Sequence, residues 1–78
     1  MSNLNIAIIG AGNLGVSIAN GLVESQSFKA KNIILTRRKI EKLESMQQKG
    51  FQITKDNKEA VKKSDIIIVF HFPLPDLL

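Results

Sequence analysis

Continuous apolar runs alternate with amphipathic segments along this chain. Three runs are uninterrupted, at residues 6–9, 33–35 and 66–70. Apolar residues at every position, rather than at every second one, are typical of strands buried on both faces, as in a parallel sheet, and we predict such buried strands at residues 6–9 and 33–35. A shorter run at residues 51–53 alternates once, which predicts an edge strand.

The amphipathic segments predict three helices. The first covers residues 13–25, and the second runs from about 39 to 49, where Gly50 is well placed to end it. A short third helix covers residues 56–63, with Asp56 as its N-cap and Glu59 completing a capping box. The residues expected to face the core are Leu14, Ile18, Ala19, Leu22 and Val23 in the first helix, Ile40, Leu43 and Met46 in the second, and Ala60 and Val61 in the third.

The predicted order is therefore β-α-β-α-β-α-β, without repeats or a linker. Strict alternation of strands and helices favours an α/β fold, in which a parallel sheet with right-handed crossovers is flanked by helices. Pro73 and Pro75 follow the last run and forbid a regular continuation of it.

A glycine-rich turn joins the first predicted strand to the first predicted helix. Residues 10–15 match G-x-G-x-x-G, which in this context is typical of dinucleotide binding. Gly10 permits the tight turn, Gly12 lets the backbone approach a pyrophosphate, and Gly15 lets the helix pack close to the strand. The helix N-terminus offers the anion N–H groups and a partial positive charge. The alternative is an ordinary glycine-rich turn before a helix.

The residues after the second strand bear on the choice of nucleotide. An NAD site has an acidic residue about 20 residues past the glycines to bind the ribose 2′-hydroxyl. That place holds Thr36, Arg37 and Arg38, and no acidic residue follows until Glu41. Guanidinium groups form charge-assisted pairs with phosphate, so we predict that NADP(H) is preferred over NAD(H). The alternative is a solvated basic start to the second helix, which also includes Lys39.

Seven stretches of the chain match a known family in register. They are residues 6–15, 20–22, 36–38, 41–43, 50–51, 56–61 and 64–68. In these stretches the chain resembles the N-terminal part of the pyrroline-5-carboxylate reductase family. The resemblance implies a Rossmann-type sheet in the order 3-2-1-4 that binds NADP(H), and reduction of pyrroline-5-carboxylate to proline in proline biosynthesis.

The same resemblance implies where the cofactor would be bound. The pyrophosphate would lie on Gly10, Ala11, Gly12, Asn13 and Leu14, with Gly15 closing the motif, and the adenosine ribose with its 2′-phosphate on Thr36, Arg37, Arg38 and Asn57. Asn57 has the alternative role of a helix-start residue. Near the nicotinamide half, the family's Ala-Val-Lys-Pro aligns with Phe70, His71, Phe72 and Pro73. Phe72 thus replaces the family's lysine, which removes a charge and adds bulk.

Family members continue into further strands and a helical domain that carries the dimer interface and most of the substrate site. We therefore expect residues 1–78 to be a partial dinucleotide-binding domain with no catalytic residue and no reductase activity of its own. Strand 66–70 would be an exposed apolar edge, through which we expect homo-oligomerisation. Two alternatives stay open: the nucleotide half of another NADP oxidoreductase, of the F420-dependent type, and a non-catalytic, self-associating module.

Composition narrows the remaining function classes. The chain is 44% hydrophobic and 23% charged, with no Cys and a net charge of +4, so it is of the globular class and has no thiolate metal site. No Lys or Arg precedes Lys29, and no apolar run could span a bilayer, so we expect a cytoplasmic protein without membrane partners. The chain has no Tyr or Trp, and its four Phe lie mostly in apolar settings, with Phe51 and Phe70 in predicted strands. A stacking platform for bases is therefore missing, and no nucleic-acid partner is expected.

Isolated polar residues add no chemistry of their own. His71 is the single histidine and has no acid, Cys or second His nearby, so we interpret it as a strand-end residue rather than a metal ligand. Glu41 and Glu44 are expected to form surface ion pairs. No metal site is predicted.

Overall fold

The computed structural model describes residues 3–70, in which four strands form one parallel sheet. The strands are β1 (Ile6–Ile9), β2 (Ile33–Thr36), β3 (Gln52–Thr54) and β4 (Ile66–Val69), and their order in the sheet is β3-β2-β1-β4. Ile6 is paired with Ile33 on one side and with Ile66 on the other. The predicted parallel sheet in the order 3-2-1-4 is confirmed.

Three α-helices and two 3₁₀ turns connect these strands. The helices are α1 (Asn13–Glu24), α2 (Glu44–Gln48) and α3 (Asn57–Lys62), while 3₁₀ turns occupy Ala30–Asn32 and Ile40–Leu43. The prediction of one regular helix from about 39 to 49 was therefore wrong in its first half. There the Lys42 N–H bonds to the carbonyl of Lys39 at 3.1 Å, the three-residue spacing of the tighter helix.

The helices lie on both faces of the sheet because the chain adds β2 and β3 on one side of β1 and then returns to add β4 on the other side. Right-handed crossovers from β1 to β2 and from β2 to β3 place α1 and α2 on one face, and the return from β3 to β4 places α3 on the other. The core on the first face consists of Ile6, Ile8, Ala11, Ala19, Ile33, Leu35, Leu43, Met46 and Phe51. The core under α3 is smaller and consists of Ala7, Ile34 and Ala60.

Two residues expected to face the core are exposed instead. Leu14 is 55% exposed and Val61 is 41% exposed. In α1 the buried positions are Gly15 and Ala19. Their small size lets the helix lie close to the sheet and leaves Leu14 pointing away. In α3 only Ala60 is buried, and the next residue is turned about 100° around the helix axis.

The ends of α2 and α3 follow two different sequence signals. Gly50, with a φ of +101°, ends α2 as predicted: its N–H bonds to the carbonyl of Gln47 at 3.0 Å, and that of Phe51 bonds to Met46 at 3.2 Å, which is a Schellman motif. The Asp56 carboxylate caps α3 by accepting bonds from the N–H groups of the second and third helical residues, at 2.9 and 3.3 Å. The capping box is incomplete, because the Glu59 carboxylate pairs with Lys63 rather than accepting from the backbone N–H of Asp56.

No helix within residues 3–70 has the length and apolar character needed to cross a membrane. A cytoplasmic location stays a prediction.

Candidate functional site

The turn between β1 and α1 is held by the end of β2. The N–H of Gly10 donates to Oγ1 of Thr36 at 3.1 Å, and the N–H of Ala11 donates to the carbonyl oxygen of Thr36 at 2.7 Å. Thr36 itself is buried. Gly10 has a φ of +76°, and a Cβ there would lie 3.0 Å from the carbonyl oxygen of Phe70. Both the conformation and the lack of space therefore require glycine at this position.

The outer side of the same turn is open. Gly12 is the N-cap of α1 in an extended conformation, and a Cβ placed on it would meet no atom within 4 Å. A Cβ on Gly15, in contrast, would lie 3.2 Å from Cγ2 of Ile8. The helix has no side-chain cap and no acidic residue in its first turn, so its N-terminal N–H groups and dipole are available to an anion. Asn13 and Leu14 are exposed on this first turn.

A cleft of about 440 Å³ opens beside this turn, at the carboxyl ends of the strands. It is lined by Ile9, Gly10, Thr36, Arg37, Arg38, Lys55, Asn57, Val69 and Phe70. The strand order reverses between β1 and β4, which is where open α/β sheets bind their ligands. Its volume lies in the range of small-molecule sites.

The cleft brings together six of the residues predicted to bind a cofactor: Gly10, Thr36, Arg37, Arg38, Asn57 and Phe70. The other predicted residues of the glycine motif lie in the adjoining turn and the first turn of α1: Ala11, Gly12, Asn13, Leu14 and Gly15. Three predicted residues lie outside the described part of the chain: His71, Phe72 and Pro73. Their roles, like those of the residues in the cleft, stay predictions.

Three residues of the lining were not singled out from the sequence: Ile9, Lys55 and Val69. Lys55 directly follows β3, so it stands at the same edge of the sheet as Thr36. Because Lys55 directly follows a predicted strand, the sequence could have identified it as a candidate for this edge of the sheet. Phe70 lies at the floor of the turn, where its N–H donates to the carbonyl of Ile9 at 3.0 Å.

The cleft is cationic. Arg37, Arg38 and Lys55 line it, and no Asp or Glu does so in the part of the chain that the structure describes. Within residues 3–70 a single ion pair is formed, between Lys63 and Glu59 at 3.4 Å on α3. The surface ion pairs expected of Glu41 and Glu44 are therefore not formed there. Cations without a carboxylate partner create a positive potential that attracts an anionic ligand.

Comparison with known proteins places the chain in a family of oxidoreductases. The family model described as NADP oxidoreductase, coenzyme F420-dependent, matches residues 5–74. Pyrroline-5-carboxylate reductase 2 of Dictyostelium discoideum is 51% identical over 99% of this chain and 27% of its own length. Pyrroline-5-carboxylate reductase 1 of the same organism is 43% identical over 94% of the chain and 14% of its own length.

A solved structure matches as well. A pyrroline-5-carboxylate reductase from Coxiella burnetii superimposes with a TM-score of 0.79 at 27% identity, over 90% of this chain and 26% of its own. The chain thus spans about a quarter or less of the length of these relatives. It belongs to the NADP oxidoreductase, coenzyme F420-dependent, family, as a pyrroline-5-carboxylate reductase-like member with a Rossmann-type fold.

Proposed function

We propose that the cleft binds NADP(H), with NADPH preferred over NADH. The observation that carries this proposal is the cleft lining, in which a glycine turn meets Arg37 and Arg38 without a carboxylate among the described residues. The pyrophosphate would lie against residues 10–14 and the N-terminus of α1, where the space outside Gly12 is open. The 2′-phosphate would lie against the two guanidinium groups.

The remaining polar residues have separate parts in this proposal. Thr36 is buried and accepts the Gly10 N–H, so its hydroxyl holds the turn in place beside the proposed ribose site. Asn57 lies at the first position of α3 and lines the cleft, where its amide would reach the ribose phosphate. Phe70 would support the turn from beneath.

The chemistry of the whole protein is proposed from its relatives. Bound NADPH supplies a hydride, and the protein's part is to bind and orient it. We propose that the substrate is pyrroline-5-carboxylate, the compound in the names of the curated relatives, and that residues 1–78 supply the nucleotide side alone. An F420-dependent NADP oxidoreductase is the alternative, which the description of the family model favours.

Calorimetric titration of the chain with NADPH and with NADH, at low and moderate salt, tests the proposal. We expect NADPH to bind at least about tenfold more tightly, or about 1.4 kcal/mol, and the R37Q/R38Q variant to lose that preference. Lys39→Gln is the matched control, because Lys39 does not line the cleft. We also expect no NADPH oxidation when pyrroline-5-carboxylate is added. Failure of a folded sample to bind either nucleotide would overturn the proposal, and equal binding would remove the role of the arginines.

A second function, self-association, is favoured by β4. This strand has β1 as its neighbour on one side and no strand on the other within the described sheet. Its sequence is Ile-Ile-Ile-Val, with Ile67 43% and Val69 62% exposed. Apolar edge strands without a charge or proline recruit further strands. We propose that two copies of this chain pair through their β4 edges.

Light scattering coupled to size-exclusion chromatography measures this association. We expect the wild-type chain to have about twice its 8.6 kDa mass, and Ile67→Lys to be monomeric because a charge on an edge strand opposes pairing. Val61→Lys is the control, since Val61 is similarly exposed but lies on α3. A monomeric wild type, or equal dissociation by both substitutions, would contradict pairing through β4.

A further inference from the structure

We propose that Lys55 is a third cation for the 2′-phosphate and contributes to the preference for NADPH, an inference that rests on the proposed NADP(H) binding. It is drawn from the strand register, the charges in the cleft and the place of β3 in the sheet.

The register places Lys55 beside Arg37. Strands β2 and β3 are parallel, and their last paired residues are Thr36 and Thr54. Arg37 and Lys55 are the residues that follow this pair, so they leave neighbouring strands, about 4.8 Å apart, at the same edge. Both line the cleft. A cation pair at adjacent register positions is repulsive by itself and becomes favourable when an anion lies between its members.

The acidic residue nearest in sequence does not neutralise Lys55. Asp56 directs its carboxylate to the backbone N–H groups of Lys58 and Glu59, at 2.9 and 3.3 Å. It is not among the residues that line the cleft, whereas Asn57 is. Lys55 is exposed, so its long side chain can reach a phosphate that lies in front of β2.

The place of β3 in the sheet selects the 2′-phosphate over the pyrophosphate. The glycine turn follows β1, and β3 is separated from β1 by β2. Two strand spacings amount to about 10 Å, so the base of Lys55 is displaced from the turn toward the side of Arg37 and Arg38. A dinucleotide whose pyrophosphate lies on the turn would present its adenosine ribose on that side.

Titration of Lys55→Gln with four probes tests this inference: NADPH, NADH, 2′,5′-ADP and 5′-AMP. We expect about five- to tenfold weaker binding of NADPH and 2′,5′-ADP, and less than about twofold change for NADH and 5′-AMP, because the latter two lack the 2′-phosphate. Lys55→Arg should keep the preference for NADPH, since it keeps the charge. Lys58→Gln is the matched control, because Lys58 does not line this cleft.

Three outcomes would overturn the inference. If K55Q binds NADPH as K58Q does, while the wild type still prefers NADPH, then Lys55 has no part and the proposed function stands. If K55Q weakens NADH and NADPH equally, with an unchanged urea midpoint, then Lys55 acts on a group that both nucleotides share. If the folded wild type binds none of the probes, the proposed function and this inference fail together.

Discussion

Gly12→Asp is expected to abolish NADPH binding while leaving the fold intact. Gly12 is the N-cap of α1 in an extended conformation with a φ of −83° and a ψ of −157°, so its φ lies outside the left-handed region that favours glycine. A Cβ at this position would meet no atom within 4 Å. Asp is moreover one of the strongly preferred N-cap residues, and we expect the free energy of unfolding to stay equal or to rise by up to about 1 kcal/mol.

The loss of binding follows from charge. The new carboxylate would occupy the space proposed for the pyrophosphate and would accept the same helix N–H groups. Two like charges about 4 Å apart repel by about 4 kcal/mol near a protein surface, so at least about a 100-fold increase in the Kd is expected, or about 2.7 kcal/mol.

Gly12→Ser separates charge from size. A serine caps the helix but carries no charge, so we expect a smaller loss of NADPH affinity than with aspartate. Calorimetry measures the Kd, and urea unfolding measures the stability of both variants. NADPH binding by G12D within about fivefold of the wild type would show that the pyrophosphate does not lie at this helix N-terminus.

Leu35→Ala is expected to destabilise the fold strongly. Leu35 has no exposed surface and lies in β2, paired with Ile8 of β1 and Ile53 of β3. Truncation of a buried leucine to alanine costs about 2–5 kcal/mol. A chain of 78 residues has a total stability of about 4–12 kcal/mol at about 0.05–0.15 kcal/mol per residue. The substitution therefore removes a large part of the stability.

Urea unfolding followed by circular dichroism measures this loss. The control is the same substitution at Leu14, which is exposed on α1, and we expect its free energy of unfolding to change by less than about 0.5 kcal/mol. Equal unfolding midpoints for L35A and the wild type would show that β2 is not the centre of the core.

Much of the fold could be predicted because it follows from local signals. Each of these signals is contained in a few consecutive residues: the four-residue apolar strands, the glycine after α2 and the Asp56 cap of α3. The orientations of the helices were harder to predict, as the exposure of Leu14 and Val61 shows. Apolar periodicity indicates which face of a helix is apolar. The rotation of the helix about its axis on the sheet, however, depends on side-chain volumes from several elements. The small residues Gly15 and Ala19 decide it in α1.

The sequence by itself determined the order of the elements, the glycine turn before the first helix, and the presence of arginines where an acidic residue would favour NAD. Only the tertiary structure decided that Thr36 holds the turn through two hydrogen bonds, and that Lys55 joins Arg37 in one cleft. The reason is physical: hydrogen bonding between parallel strands brings together residues that are distant in sequence, and the register that selects the neighbours is set by packing of the whole sheet.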